Sequence, residues 1–296
     1  MKRVKPGLAA AMSRREAISA GGLAIAGTVG LASTPPASQI IFGANRGNYP
    51  KVNAAIPLAM GLRIYYDSEL PTAWPNPLPG ARITLSLQPD PDDLLSGKLD
   101  GQLKAIIDSA PAYAELAFWH ENITGNPLGY PSKVNNARTA IGMQNYGQSL
   151  CRGTQVRFGV ITCGPAIQQL DWMAPGLDWY GDDLYDFPRL RNPDGTLSRA
   201  KIFARLDSNL DAWRVRSGKR WPAIRICETN SPFDSHRTNW FTWVAQWMAR
   251  NNGHRILTYW NPDEGIAQHG LSGPWPPSKT VVSRLHLLSE AYQGTA

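Results

Sequence analysis

From residue 40 onward the sequence alternates eight times between a short apolar run and a longer, more polar segment. The runs fall at 40–45, 62–66, 82–87, 114–119, 156–162, 177–184, 223–227 and 255–260, and their length and β-branched or aromatic content predict strands. Apolar residues at helical spacing follow several of them, as at 99–108, 199–216 and 238–250. The stretch 278–292 reads as a closing helix, with Val281, Val282, Leu285, Leu287 and Leu288 on or near its apolar face. Repeated strand–helix alternation implies an α/β chain with a parallel sheet wrapped by helices. Alternation alone also suits an open doubly wound sheet. No G-x-G-x-x-G or G-x-x-x-x-G-K-[ST] motif follows the first strand, which argues against a nucleotide-binding sheet. The expectation is a (β/α)8 TIM barrel, for which about 250 residues is a usual length. No linker or break in composition follows Ser38, so 38–296 is expected to be one domain.

The first 37 residues read differently. Lys2, Arg3 and Lys5 open the chain, Arg14 and Arg15 form a pair, and a Gly/Ala-rich apolar stretch runs from 20 to 32. This order of basic, apolar and small residues is that of a removable export signal, of the twin-arginine type, with cleavage expected between Ala32 and Ser38. The apolar stretch is short and glycine-rich for a span, which needs about 20 apolar residues. A secreted product with no membrane attachment after signal removal is therefore expected. Of the 30 basic and 23 acidic residues, the first 37 hold five and one, leaving 25 against 22, a net +3. That balance, with no Lys/Arg run that forms a patch, does not call for a nucleic-acid partner. The three cysteines, Cys151, Cys163 and Cys227, form no C-x-x-C pair, so no structural zinc site is expected. Cys227 directly precedes Glu228 on a predicted strand. Strict alternation would turn it to the other side, as a small buried residue and not a nucleophile.

Several predicted strands end in polar or aromatic groups. The first runs into Asn45-Arg46, the second into Tyr65-Tyr66-Asp67, the sixth into Tyr185-Asp186 and the eighth into Tyr259-Trp260-Asn261. Rings that stack on sugar faces and groups that bond hydroxyls suit a carbohydrate cleft. Two segments stand out. Leu116-Ala117-Phe118-Trp119 leads into His120-Glu121-Asn122, and Ala223-Ile224-Arg225-Ile226-Cys227 leads into Glu228-Thr229-Asn230. Each joins a mostly apolar run to a glutamate at the carboxyl end of a strand, the end where barrels do chemistry. The glutamates lie 107 positions apart, on predicted strands four and seven. Two carboxylates at one mouth suit cleavage of a glycosidic bond, where one protonates the leaving oxygen and the other attacks carbon or activates water.

On these residues the chain resembles a clan of retaining glycoside hydrolases built on β/α barrels. In motif it is similar to family 26, the β-mannanase-like group. The resemblance lies in His120-Glu121 after strand four, Gly181-Asp182-Asp183-Leu184-Tyr185 on strand six, Cys227-Glu228-Thr229 on strand seven and Trp260 on strand eight. It implies Glu121 as general acid and then base, and Glu228 as nucleophile. It further implies that Tyr185 orients Glu228, that His120 bonds a substrate hydroxyl or orients the acid, and that Trp260 is a sugar platform. Asn122, Tyr66 and Arg46 complete the expected substrate-binding set. Asn122 and the ending Asn45-Arg46 depart from the family pattern. The expected substrate is a β-linked mannan-, glucan- or xylan-like polysaccharide or an oligosaccharide of one, handled by a monomer without a cofactor.

Two other readings compete. A barrel that kept the cleft but not the chemistry would bind carbohydrate only. A metal-dependent hydrolase could use His120, Asp182 and Asp183, but the five histidines show no H-x-H or H-E-x-x-H spacing, so no metal site is expected. Pro/Gly-rich stretches at 67–79, 89–96 and 262–277 are expected to be loops that shape the mouth.

Overall fold

In the computed structural model each of the eight runs is a strand. The structure describes residues 40–45, 61–66, 69–75, 82–112, 114–119, 136–164, 166–230, 234–250 and 255–259, with the main chain only for 40–45, 228, 230, 234, 235, 255, 256, 258 and 259. The strands are β1 (Ile40–Asn45), β2 (Gly61–Tyr66), β3 (Arg82–Leu87), β4 (Glu115–Phe118), β5 (Arg157–Thr162), β6 (Trp179–Tyr185), β7 (Ala223–Asn230) and β8 (Arg255–Tyr259). Each pairs in parallel with the next, and β1 pairs with β8 from Ile40↔Arg255 to Ala44↔Tyr259, closing the sheet into a barrel. Closure separates this fold from the open doubly wound sheet that alternation also allowed.

The described helices are α1 (Pro91–Leu95), α2 (Asp100–Asp108), α3 (Ala137–Cys151), α4 (Arg199–Ser217) and α5 (Asp234–Ala249). Short 3₁₀ segments occur at Ala166–Trp172 and Pro188–Leu190. The stretch 89–96, expected as loop, holds α1. Asp90 accepts from the N–H groups of Asp92 and Asp93 at 3.0 and 3.4 Å, and Pro91 stands at the first helical position, where its missing N–H costs nothing. Asn136 caps α3 through the Thr139 N–H at 2.8 Å. Periodicity does not single out α3, because Gly142 and Gly147 interrupt it. The expected closing helix at 278–292 and the loop at 262–277 lie outside the described residues.

Alternation along the strands sorts side chains into two sets. Leu62, Ile64, Leu85, Leu116, Val160 and Ile226 face outward and pack against Leu103, Ile106, Met143, Leu206, Trp240 and Val244 of the helices. Ala117, Ile161, Trp179 and Cys227 form a separate buried cluster inside the barrel. Trp179 and Trp240 are fully buried. Trp179 fits the interior because β5 offers it a glycine. A Cβ on Gly159 would stand 2.1 Å from Trp179 Cδ2 and 2.6 Å from the Trp179 carbonyl oxygen. Two residues along β6 from Trp179, a Cβ on Gly181 would meet Cys227 Sγ at 2.6 Å.

This packing makes one chemical change act in opposite directions at two sites. Gly159→Ala is expected to destabilise the fold by about 3 kcal/mol, since both ring and main chain must move. Gly101→Ala, inside α2 with nothing within 4 Å, is expected to stabilise it by about 1 kcal/mol. Urea denaturation of the two variants checks both signs.

Candidate active site

The barrel interior is not the apolar filling that the two glutamate-bearing runs suggest. Glu115 of β4 and Arg225 of β7 meet there, with side chains 2% and 1% exposed. Arg225 Nε donates to Glu115 Oε2 at 2.7 Å, and Nη2 donates to Oε1 of the same carboxylate. Thr84 Oγ1 donates to Oε2 at 3.2 Å, Arg157 Nη2 stands 3.7 Å from Oε1, and Arg225 Nη1 donates to the Ile224 carbonyl at 2.8 Å. Burial pushes the Glu115 carboxyl up, but Arg225, with help from Arg157 and Thr84, holds it below its ordinary value of 4.5. More charge lies beside this pair. Arg63 of β2 is fully buried, its guanidinium carbon 5.0 Å from the Tyr65 ring centroid, and Asp183 of β6 is fully buried as well. Cys227 sits among all four. Burial drives its thiol upward, Arg63 and Arg225 pull it down, and Asp183 and Glu115 push it up again. A thiol so disfavoured as thiolate is no nucleophile.

The strands above this layer end irregularly. β4 stops at Phe118, and Trp119 takes a left-handed φ of 50°. That conformation is uncommon for a bulky residue and needs outside support. Here the Trp119 N–H donates to Leu87 O at 2.9 Å and its indole Nε1 to Pro89 O at 2.6 Å. The chain therefore leaves the strand direction just before His120. His120, Glu121 and Asn122, like Arg46 and Trp260, lie outside the described residues.

β7 carries the second irregularity. Against β6 its register runs Asp182↔Ile226 and then Asp183↔Glu228, so Cys227 is an extra residue. Strict alternation, which would set Cys227 on the side away from Glu228, therefore does not hold across this bulge. Cys227 packs inward against the Ala117, Ile161 and Trp179 cluster, and the main chain of Glu228 lies level with Asp183. Beyond the bulge, Trp240 Nε1 of α5 donates to Thr229 Oγ1 at 2.8 Å and anchors the strand end.

Tyr185 is buried, two positions past Asp183 on β6 and level with Asn230, with its ring edge-on to Phe187 at 6.0 Å. Tyr66, expected at the substrate, instead follows Leu62 and Ile64 on the outward row and packs against the outer core. Tyr65 is the β2 tyrosine that shares a row with Arg63. Asp182 also faces out. Arg205 of α4 donates to its two oxygens at 2.9 and 3.0 Å, and Asn209 to Oδ2 at 2.8 Å. Asp182 and Asp183 thus point to opposite faces of β6 and cannot share an ion. Among the described residues no cluster of His, Cys, Asp and Glu could hold a metal.

One group escaped the sequence reading. Asp186, buried just past Tyr185, accepts from Arg191 Nε at 2.8 Å, while Arg191 Nη2 reaches its carbonyl at 2.8 Å. His236 Nδ1, in the first turn of α5, lies 3.0 Å from Asp186 Oδ2. This three-residue clip joins the end of β6 to the helix that follows β7.

No family model matches the sequence, and no curated protein does. The fold, however, is similar to solved glycoside hydrolases. A family 26 β-mannanase from Bacteroides ovatus superposes with a TM-score of 0.54 at 11% identity, over 86% of this chain and 90% of that one. A family 26 endo-β-1,4-mannanase from Cellulomonas fimi gives 0.55 at 13%, over 87% and 73%. A family 5 xyloglucan-specific endo-β-1,4-glucanase from a metagenomic library, solved with cellotriose, gives 0.54 at 12%, over 83% and 95%. The chain thus resembles clan A glycoside hydrolases, family 26 among them, and at these identities the likeness is one of fold.

The Glu115–Arg225 pair makes a stability prediction with a defined pH window. Glu115→Gln leaves Arg225 buried without its counter-charge and is expected to cost about 3–5 kcal/mol at pH 7. A Glu115→Leu/Arg225→Met double variant should recover most of that loss. Because the folded carboxyl sits below its ordinary value of 4.5, the stabilisation is complete above that value and fades as pH falls through the folded one. Denaturant melts at pH 7 and pH 3 should show the gap between wild type and the Glu115→Gln variant closing at the lower pH.

Proposed function

We propose that this chain is an exported glycoside hydrolase that cleaves β-linked polysaccharide by a retaining double displacement, with Glu121 as acid/base and Glu228 as nucleophile. The observation that carries the reading is the Glu115–Arg225 pair. It ties β4 to β7 through the barrel interior, so the two strands that lead to Glu121 and Glu228 are fixed against each other below the mouth. A retaining mechanism needs carboxyl groups about 5–5.5 Å apart, and a rigid link between their strands is what such a spacing requires. The bulge at Cys227 is a device that re-aims the residue after it, and bulges favour sites of this kind.

In this mechanism Glu121 protonates the leaving oxygen while Glu228 attacks the anomeric carbon, and water then releases the sugar with Glu121 as base. Tyr185 would steady Glu228. His120, Asn122, Arg46 and Trp260 would line the sugar path. The two carboxylates suffice, so no cofactor or metal is required. The solved neighbours act on mannan and xyloglucan by their descriptions, which favours a mannan- or glucan-like substrate for this chain, with xylan as a further candidate. The domain 38–296 would act as a secreted monomer after loss of a twin-arginine signal, with no membrane or nucleic-acid partner.

On a polysaccharide panel, Glu121→Gln and Glu228→Gln are each expected to lower kcat by about 10³-fold. The first product should carry the anomeric configuration of the substrate, read by NMR during turnover. Wild-type turnover that neither substitution reduces would overturn the assignment, and glycan binding without turnover in the wild type would make the barrel a binding protein. Changing Arg14 and Arg15 to lysine is expected to hold the chain inside the cell, checked by comparing cell and medium fractions.

A further inference from the structure

The amino-terminal end of the barrel, opposite the end of β7 that carries Glu228, holds a cationic turn that the proposed chemistry does not use. Helix α4 ends at Ser217. Gly218 follows at a left-handed φ of 66° and donates its N–H to Arg214 O at 3.1 Å. The chain then turns through Lys219, Arg220 and Trp221 and enters β7 at Ala223. Arg214, Arg216, Lys219 and Arg220 fall within seven residues, with no acid between Ala212 and Pro222. Counted with Asp211, which pairs with Arg214, the stretch 211–222 carries a net +3 (four basic, one acidic), equal to that of the whole of 38–296. Valine, serine and glycine separate them in sequence, so they do not read as a basic run. The turn brings two of them, Arg214 and Arg220, together at Trp221.

Half of this charge has a structural reason. Cations in the last turn of a helix complement its dipole, and Arg214 and Arg216 stand there. Lys219 and Arg220 lie past the cap, where the dipole does not ask for them. Beside them the surface is apolar, with Trp221 39% and Val215 71% exposed. The guanidinium carbons of Arg214 and Arg220 stand 5.0 and 5.5 Å from the Trp221 ring centroid. Arg214 Nε donates to the Arg220 carbonyl at 3.0 Å, and Asp211 takes one Arg214 nitrogen at 3.1 Å. The Lys219 N–H donates to Ser217 Oγ at 3.1 Å. Arg214 and Arg220 are therefore not loose surface chains. They are held against an indole by a turn of fixed shape.

We propose that this turn is a second, non-catalytic site that binds an acidic polysaccharide, its carboxylates on Arg220 and Lys219 and its sugar rings on Trp221. Arginine's planar fork suits a carboxylate in two-point contact, and Arg220 is exposed, next to the exposed Lys219 in sequence. An exposed indole suits the apolar face of a sugar ring. A lipid surface would be better served by mobile lysines and a broader apolar face. The inference rests on the reading of the chain as polysaccharide-active, since it takes the ligand from that class. Bound there, the polymer leaves the mouth open, because the turn feeds the amino end of β7 and Glu228 lies near the carboxyl end. A chain held at both ends of the barrel gains from effective concentration.

Calorimetric titration of the secreted protein with polygalacturonate, uncharged galactomannan and phosphatidylglycerol vesicles tests it. Polygalacturonate is expected to bind, and to bind more weakly as salt rises. Trp221→Ala and Arg220→Ala should each weaken that binding about tenfold while leaving hydrolysis of a short neutral oligosaccharide unchanged. The Glu228→Gln variant should bind polygalacturonate as the wild type does, so a failed catalytic assignment would not pass for a failed site. Equal polygalacturonate affinity in wild type and Trp221→Ala, no polygalacturonate binding, or binding to vesicles alone would overturn it. Thermal melts of both surface variants, expected within a degree or two of wild type, exclude unfolding as the cause.

Discussion

A carboxylate and a guanidinium, both out of reach of water, meet inside this barrel, and the placing of everything above them follows from that contact. Glu115 and Arg225 come from strands that are not neighbours in the sheet, β4 and β7. A buried ion pair is a poor source of net stability, because desolvation offsets most of the attraction. Its consequence lies in register. A one-residue slip of either strand would turn its charge to the outer face and take from the buried partner its two-point counter-charge. That state costs several kcal/mol, whereas an apolar interior would absorb a slip far more cheaply. The pair thus sets β4 and β7 against each other before any loop contributes.

Above this layer the sheet stops being regular at two places, and both adjoin the glutamate segments. Trp119 leaves the strand with a left-handed main chain, held by Leu87 and Pro89. Cys227 adds one residue to β7, so that Glu228 comes level with Asp183. Strain and bulges persist only where the surroundings over-determine them. Here the surroundings are the packed interior below, Trp240 on Thr229 behind, and the Asp186, Arg191 and His236 clip to the side. The arrangement is a rigid lower barrel that carries two deliberately irregular strand ends.

The architecture was legible in the sequence because strand length and helix period leave marks at every repeat. All eight strands fall where the apolar runs lie, and β1 and β3 match them residue for residue. The interior charges were harder to read. Arg225 lies in a run of Ala, Ile and Cys, and Glu115 opens a run of Leu, Ala and Phe, so each looked like an interruption. The signal was present in the period of two: Arg63, Thr84, Glu115, Arg157 and Arg225 all occupy the inward row of their strands. The bulge left no such mark, since nothing in Ile226-Cys227-Glu228 tells a bulged strand from a straight one. Tyr66 and Tyr65 differ by one position and so by a whole face of the sheet. The aromatic strand ending was visible, but the face it served was not. Contacts between distant segments, such as Asp186 with His236, arise only once the chain is folded.

The proposed double displacement requires Glu228, the residue after the β7 bulge, to form a covalent bond to the sugar. Incubation with a 2-deoxy-2-fluoro β-glycoside activated at the anomeric carbon, followed by proteolysis and mass spectrometry, tests it most directly, because the fluorine slows release of a glycosyl-enzyme. The expected result is one sugar adduct on the peptide spanning Arg225 to Asn230, located at Glu228 and absent from the Glu228→Gln variant. An adduct on another residue, or steady turnover of substrate with inversion and no adduct, would contradict it.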